Sequence, residues 1–341
     1  MGNNFIDIQY NIFLVNENVY CLWDYDIRKK TLEFLDSLNP EYFEYLADTI
    51  GPDAVDEDNQ SASIAIRLAY SQALETFFTL LGACIQGPYC TPAWVNTYWP
   101  SELRELVRNI SEREYVDSIL RKKHLSWKII TNFIFTWLAL DDQEKETQIK
   151  ENFSKIWARF ASDYLDENFN HEYNAIKHGL RIKPGGFYLA FGREDKPGVP
   201  APKERMQQIG SSKYGSSFFV VERHRKKSHH IKLKRQHMNW NPEDFAWGLH
   251  ILSMSIQNVI SAIKILNDIP ATEVRFSWPR EEDTFSEPWK RRIKMGVYSM
   301  GGIDLILPDE LIDPSSKEEL LEKYIDGKSI GFRRIRLREK D

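Results

Sequence analysis

The run His171-Glu172-Tyr173-Asn174-Ala175-Ile176-Lys177-His178 holds the densest set of side chains able to move a proton or grip a phosphate. On a helix, Asn174 projects beside Lys177 at i+3 and His178 at i+4, with His171 one turn earlier, so four nitrogen-bearing side chains share one surface. Histidine changes charge near neutral pH and serves as general acid or base, asparagine orients a substrate or donates to an oxyanion, and lysine neutralises phosphate. These parts suit phosphodiester chemistry or phosphate binding, with His178 as acid/base, Asn174 as positioning residue and Lys177 as charge stabiliser. The competing reading is structural. In it, Asn174 and His178 tie the helix end to the turn at Gly179 and to Glu75, and Lys177 is solvated.

A fourth candidate, Glu75, is the only charged residue between Arg67 and Glu102. An isolated carboxylate inside an apolar helix is costly to bury, so it needs a partner from another element or must take up a proton. The expected partner is the Asn174–His178 segment, with Glu75 orienting His178 or Lys177. Ser71, Glu75, Thr79, Gly82 and Gln86 recur at helical spacing as a stripe of polar and small residues. Such a stripe is either a hydrogen-bonded seam between helices or the wall of a functional cleft.

The second signal is electrostatic. Between Glu222 and His237 stand Arg223, Arg225, Lys226, Lys227, Lys232, Lys234 and Arg235, together with histidines at 224, 229, 230 and 237, on a chain of net charge −5. If 218–224 pairs with 231–237, the segment Arg225–His230 becomes the tip of a cationic hairpin. That shape fits a nucleic-acid backbone, with affinity falling as salt rises. A charged strand edge that blocks aggregation is the alternative. No Cys or carboxylate completes a ligand spacing around these histidines, so neither a metal nor a cofactor is expected.

The elements that must position these groups follow from pattern and punctuation. With 341 residues, 42% of them hydrophobic and 28% charged, the chain has the composition of a globular protein, and disordered or fibrous classes are excluded. Residues 1–60 read as an acidic, irregular segment with a weak strand pattern near Ile6–Leu14 and, over Asp36–Asp58, a short solvated helix followed by an acidic loop. Residues 61–182 form a helical bundle, with a long helix over 61–87 and others near 93–110, 112–140 (continuous or broken), 147–167 and 170–180. Residues 183–240 are β-rich and basic, with runs at 187–191, 218–224 and 231–237 around a loop at 192–216. Residues 241–341 begin with a helix capped by Asn241-Pro242 and continue as mixed α/β structure, including β-like runs at 302–307 and 330–337. The fold class is α+β and predominantly α: a helical bundle with a hairpin-containing insertion and a mixed C-terminal part. No uninterrupted apolar run reaches the length of a membrane span, and Met1–Tyr10 lacks the pattern of a secretory leader, so a cytoplasmic address and no membrane partner are expected. Cys21, Cys84 and Cys90 read as reduced packing residues.

A long buried helix followed by further helices and Tyr173-Asn174-x-x-Lys177-His178 resembles the HEPN superfamily, helical proteins of prokaryotic defence and toxin systems. Many members are ribonucleases with an Arg-polar-x-x-x-His motif. The resemblance covers residues 61–181. It implies that Asn174 is the polar residue, that His178 is the catalytic histidine, and that two copies form a homodimer around a shared cleft. Tyr173 stands where the arginine belongs and cannot supply a permanent cation, so cleavage would need Lys177 or Arg181 instead. Two functions are thus open: a HEPN-like protein that binds or cleaves RNA, or binds another phosphate-bearing ligand, and a non-catalytic helical interaction scaffold.

Overall fold

A computed structural model describes residues 10–193, 199, 201–223, 231–280 and 294–300, and isolated helical positions at 318, 321, 322 and 325. In chain order the elements are β1 (Asn11–Val15), β2 (Asn18–Leu22), α1 (Ile27–Ser37), α2 (Glu41–Ala54), α3 (Gln60–Gln86), α4 (Thr91–Thr97), α5 (Pro100–Glu112), α6 (Trp127–Ile134), α7 (Gln143–Leu165) and α8 (Glu167–Lys177). There follow β3 (Ile182–Pro184), β4 (Tyr188–Phe191), β5 (Gln207–Ser211), β6 (Gly215–Arg223), β7 (Ile231–Trp240), α9 (Pro242–Leu266) and β8 (Lys294–Met300). The fold is α+β and predominantly α.

Helix ends obey local chemistry. The Asn59 side chain accepts from the Ala62 amide and starts α3 slightly before the expected Ser61. Asp142, Asp166 and Asn241 open α7, α8 and α9 in the same way. The helix expected over 93–110 is two helices, because Pro100 excludes helical backbone at Trp99, which is extended at φ −94° and ψ 148°. The span expected over 112–140 breaks at Arg113, left-handed at φ 59°, and only α6 forms within it. Within residues 1–60 the structure has the β1–β2 hairpin and α1, and the helix expected over Asp36–Asp58 forms as α2, which is not merely solvated but packs on both α3 and α9.

At the centre, α3 lies against α9, and their apolar side chains meet α7. Phe77 and Trp157 have ring centroids 5.2 Å apart, and Tyr70 and Phe245 are 5.1 Å apart. Although neither helix is an uninterrupted apolar run, α3 and α9 are long and apolar enough to cross a membrane, with mean hydropathies of 1.2 and 1.4. Of those apolar windows, 72% and 67% are buried inside the fold, so the same surface that could face lipid is used to make the core.

The β-structure is antiparallel where its register is defined. Strands β3, β6, β7 and β8 form one sheet in that order, with Ile182 opposite Phe218, while β4 pairs with β5 around an irregularity at Leu189/Ala190. The expected loop at 192–216 therefore contains a strand. The described residues fall into two compact units. One holds everything up to Phe218 together with His237 to Tyr298, and the other is centred on Phe219–Gln236. This division differs from the four segments read from the sequence, because the residues before α3 and those after Trp240 build the same body as the bundle. The β-like runs at 302–307 and 330–337 lie outside the described residues.

Candidate functional site

The stripe on α3 meets a partner from another element at nearly every turn. One turn before Ser71, Arg67 extends the stripe. Its Nε donates to Glu172 Oε2 at 2.7 Å, Nη1 to Ser71 Oγ at 2.5 Å and Nη2 to the Phe169 carbonyl at 3.3 Å. The other Glu172 oxygen accepts from Trp240 Nε1 at 2.9 Å and from Ser216 Oγ. Arg67 is 1% exposed and Glu172 0%, and the guanidinium lies over the rings of Phe169 and Phe245 at 4.4 and 5.2 Å. One buried ion pair thus joins α3, α8, β6, β7 and α9. Beside it, Tyr70 Oη donates to Asp163 at 2.9 Å, and Arg159 reaches the same carboxylate at 3.3 Å. Burial raises the Asp163 pKa, opposed by Arg159 and by the Tyr70 hydrogen bond.

Further along, Glu75 Oε2 accepts from Tyr173 Oη at 3.0 Å. Burial, and then the adjacent carboxylate, push the Tyr173 phenol well above its ordinary value, so Tyr173 stays the donor. Thr79 and Tyr98 share a hydrogen bond of 2.9 Å. A β-carbon on Gly82 would lie 2.7 Å from a Trp94 ring carbon, so only glycine lets that indole close on α3. Gln86 accepts from the Asn16 amide at 3.2 Å and donates to the Asp117 carbonyl at 2.9 Å. Of the two roles open for the stripe, the geometry is that of a seam, which around Glu75 and Thr79 also borders an open groove.

The expected cluster is divided between two faces of α8. Tyr173 and Lys177, an i, i+4 pair, turn toward Glu75, and the Lys177 ammonium sits 5.3 Å from the Tyr173 ring centroid. Asn174 and His178 form the next i, i+4 pair, about 100° further around the helix. Both are exposed: the Asn174 amide reaches Asn170 Oδ1 at 3.4 Å, and the His178 backbone donates to the Asn174 carbonyl at 3.1 Å. Among the described residues, no ion pair within 4.0 Å joins Glu75 to Lys177, and no hydrogen bond joins it to His178. Glu75 does meet the expected helix, but at Tyr173 rather than at Lys177 or His178.

Sequence reasoning missed Arg67 and Glu172. The available signal was Arg67 at i−4 from Ser71, continuing the stripe. Glu172 was hidden by its titratable neighbours.

Glu75, Lys177, Tyr98 and Tyr173 line a groove of about 490 Å³. A second cavity, beside Arg67, Tyr70 and Asp163, measures about 30 Å³, room for a single water. Among the described residues, no cluster of His, Cys, Asp and Glu could hold a metal ion.

The basic segment forms the hairpin expected of it, β6 followed by its sheet neighbour β7. Alternation sends Phe218, Val220 and Met238 inward, while Phe219, Val221, Leu233 and Arg235 are exposed, the three apolar ones at 55%, 49% and 62%. Arg235 lies 4.9 Å over the Phe219 ring. Lys234 is half-buried, and Ser217 Oγ and His237 Nδ1 are 2.6 Å apart. Arg225, Lys226 and Lys227 lie outside the described residues, as do the side chains of Arg223 and Lys232. The sequence reading weighed the charges of this hairpin and overlooked its exposed apolar residues. Comparison with known proteins adds no relative: no family model, curated protein or solved structure matches the chain.

Proposed function

We propose that the chain binds RNA, or another phosphate-bearing ligand, through the β6–β7 hairpin. The observation that carries this reading is the exposed stack of Arg235 on Phe219, flanked by Val221 and Leu233, on a hairpin whose sequence supplies six further Lys or Arg. An aromatic ring and a guanidinium plane offer faces on which an unpaired base stacks, and the cations follow the phosphate backbone. An edge that served only to block strand addition would need charge but not exposed Phe, Val and Leu.

Binding is favoured over cleavage because Tyr173 already engages Glu75, the acid expected to orient His178 or Lys177. Asn174 and His178 keep their exposure, but the described residues place no carboxylate against them. A fluorescently labelled single-stranded RNA, titrated at several salt concentrations, tests the proposal. Binding should weaken linearly on a log–log plot, and Lys226→Glu with Lys227→Glu should lower both affinity and slope. Absence of binding at low salt refutes it. RNA cleavage abolished by His178→Ala would restore the ribonuclease reading.

A further inference from the structure

The groove between α1, α2, α3, α4 and α8 has a charge pattern that RNA binding at the hairpin does not use. One wall is aromatic and aliphatic, contributed by Phe34, Tyr42, Phe43, Leu80 and Tyr98. Its volume of about 490 Å³ falls within the range of small-molecule sites. Among the described residues, the charged ones that line it are Glu75 and Lys177, and both address Tyr173: Glu75 through the phenol hydroxyl at 3.0 Å, Lys177 across the ring face at 5.3 Å.

Glu75 is half-buried, and its one hydrogen bond leaves most of its acceptor capacity unused. No cation lies within 4.0 Å of it among the described residues. A carboxylate withdrawn from water in this way gains most from an ammonium that enters the groove. Its field is felt by the neighbouring phenols: burial first, and this carboxylate as well, raise the pKa of Tyr98 and Tyr164. Lys177 is exposed at the rim, where it disfavours a ligand bearing only positive charge and attracts a carboxylate.

We propose that this groove binds a free α-amino acid with a large apolar side chain, its ammonium on Glu75, its carboxylate on Lys177 and its side chain against the aromatic wall. A zwitterion answers both fixed charges at once, whereas an amine lacks a partner for Lys177 and a carboxylic acid lacks one for Glu75.

Calorimetric titration and thermal denaturation of the full chain with L-phenylalanine, phenethylamine and 3-phenylpropionate test the assignment. L-Phenylalanine should bind and raise Tm, and each single-charge analogue should bind about tenfold or more weakly, the worth of one charge-assisted hydrogen bond. Glu75→Gln should abolish the effect but also touches the α3–α8 seam. Lys177→Gln, at an exposed position, is therefore the deciding variant: it should keep the unliganded Tm and lose about tenfold in affinity for L-phenylalanine while leaving phenethylamine no weaker. No detectable binding of L-phenylalanine at millimolar concentration, equal binding of the amine, or unchanged affinity in Lys177→Gln would each overturn it.

Discussion

Arg67 and Glu172 illustrate how little a single charged residue reveals until its partner is known. Replacing Arg67 by Ala strips Glu172 of its cation while Ser216 and Trp240 still hold it in the interior, and the expected cost is about 3–5 kcal/mol in a urea-unfolding measurement. Replacing both members by apolar residues of similar volume should cost much less, because no unpaired charge then remains. A second prediction concerns alkaline pH. Tyr70, Tyr98, Tyr164 and Tyr173 all have phenols raised above the ordinary 10.0, chiefly by burial. The stability they contribute is whole below that value and is lost as pH rises through the folded-state values, since the unfolded chain ionises first. The urea midpoint should therefore fall as pH rises above about 10, and the fall should be smaller in Tyr173→Phe. At this scale the sequence was partly legible. Glu75 had to meet something polar, and it does, but the partner is a tyrosine whose hydroxyl no charge count would single out. Which i, i+4 pair of α8 would face inward depended on the rotation of that helix. Its rotation is tied to Glu172, which sits on the buried side.

Helix existence was easier to read than helix boundaries. The Asn241 cap announced α9 because its side chain satisfies an amide that no backbone group can reach. The caps Asp142 and Asp166 went unread, and α7 and α8 begin at Gln143 and Glu167 rather than at the expected 147 and 170. The break between α4 and α5 was written in Pro100 but outweighed by the apolar residues on both sides of it. The span after α5 is broken, as the sequence left open, and its first half is not helical for a different reason. Val116 and Leu125 are buried from irregular backbone, so their apolar character carried no helical period. The α3–α4 contact yields a further prediction. Gly82→Ala forces a methyl group into the Trp94 ring, which is itself only 1% exposed and has no room to retreat. A loss of about 1–3 kcal/mol is expected, read from the shift in thermal midpoint. Gly179→Ala is a useful contrast. Nothing lies within 4 Å of that position, and its cost comes from a backbone φ of +111°, so it should disturb the end of α8 and leave the seam intact.

For the molecule as a whole, the hairpin and the bundle make separable predictions. Phe219→Ala should weaken RNA binding by about 1–3 kcal/mol without changing its salt slope, because stacking involves no released counterion, whereas the lysine reversals at 226 and 227 should change the slope. Neither set should alter the unfolding of the body that contains α3, since Phe219 is exposed on the hairpin. The hairpin itself was legible because strand alternation and charge clustering agreed. The extent of the bundle was not, since nothing local in α3 states that its closest neighbour is α9.

That pairing has a consequence for biosynthesis. A ribosome releases α3 long before it has translated α9, and until then a long, largely apolar helix lacks the surface it is shaped to touch. The nascent chain must delay its final collapse or be shielded by a chaperone during that interval. A fragment ending at residue 182 should accordingly be recovered in inclusion bodies, or as a dye-binding, poorly packed species, and should become soluble only when α9 is supplied on the same polypeptide.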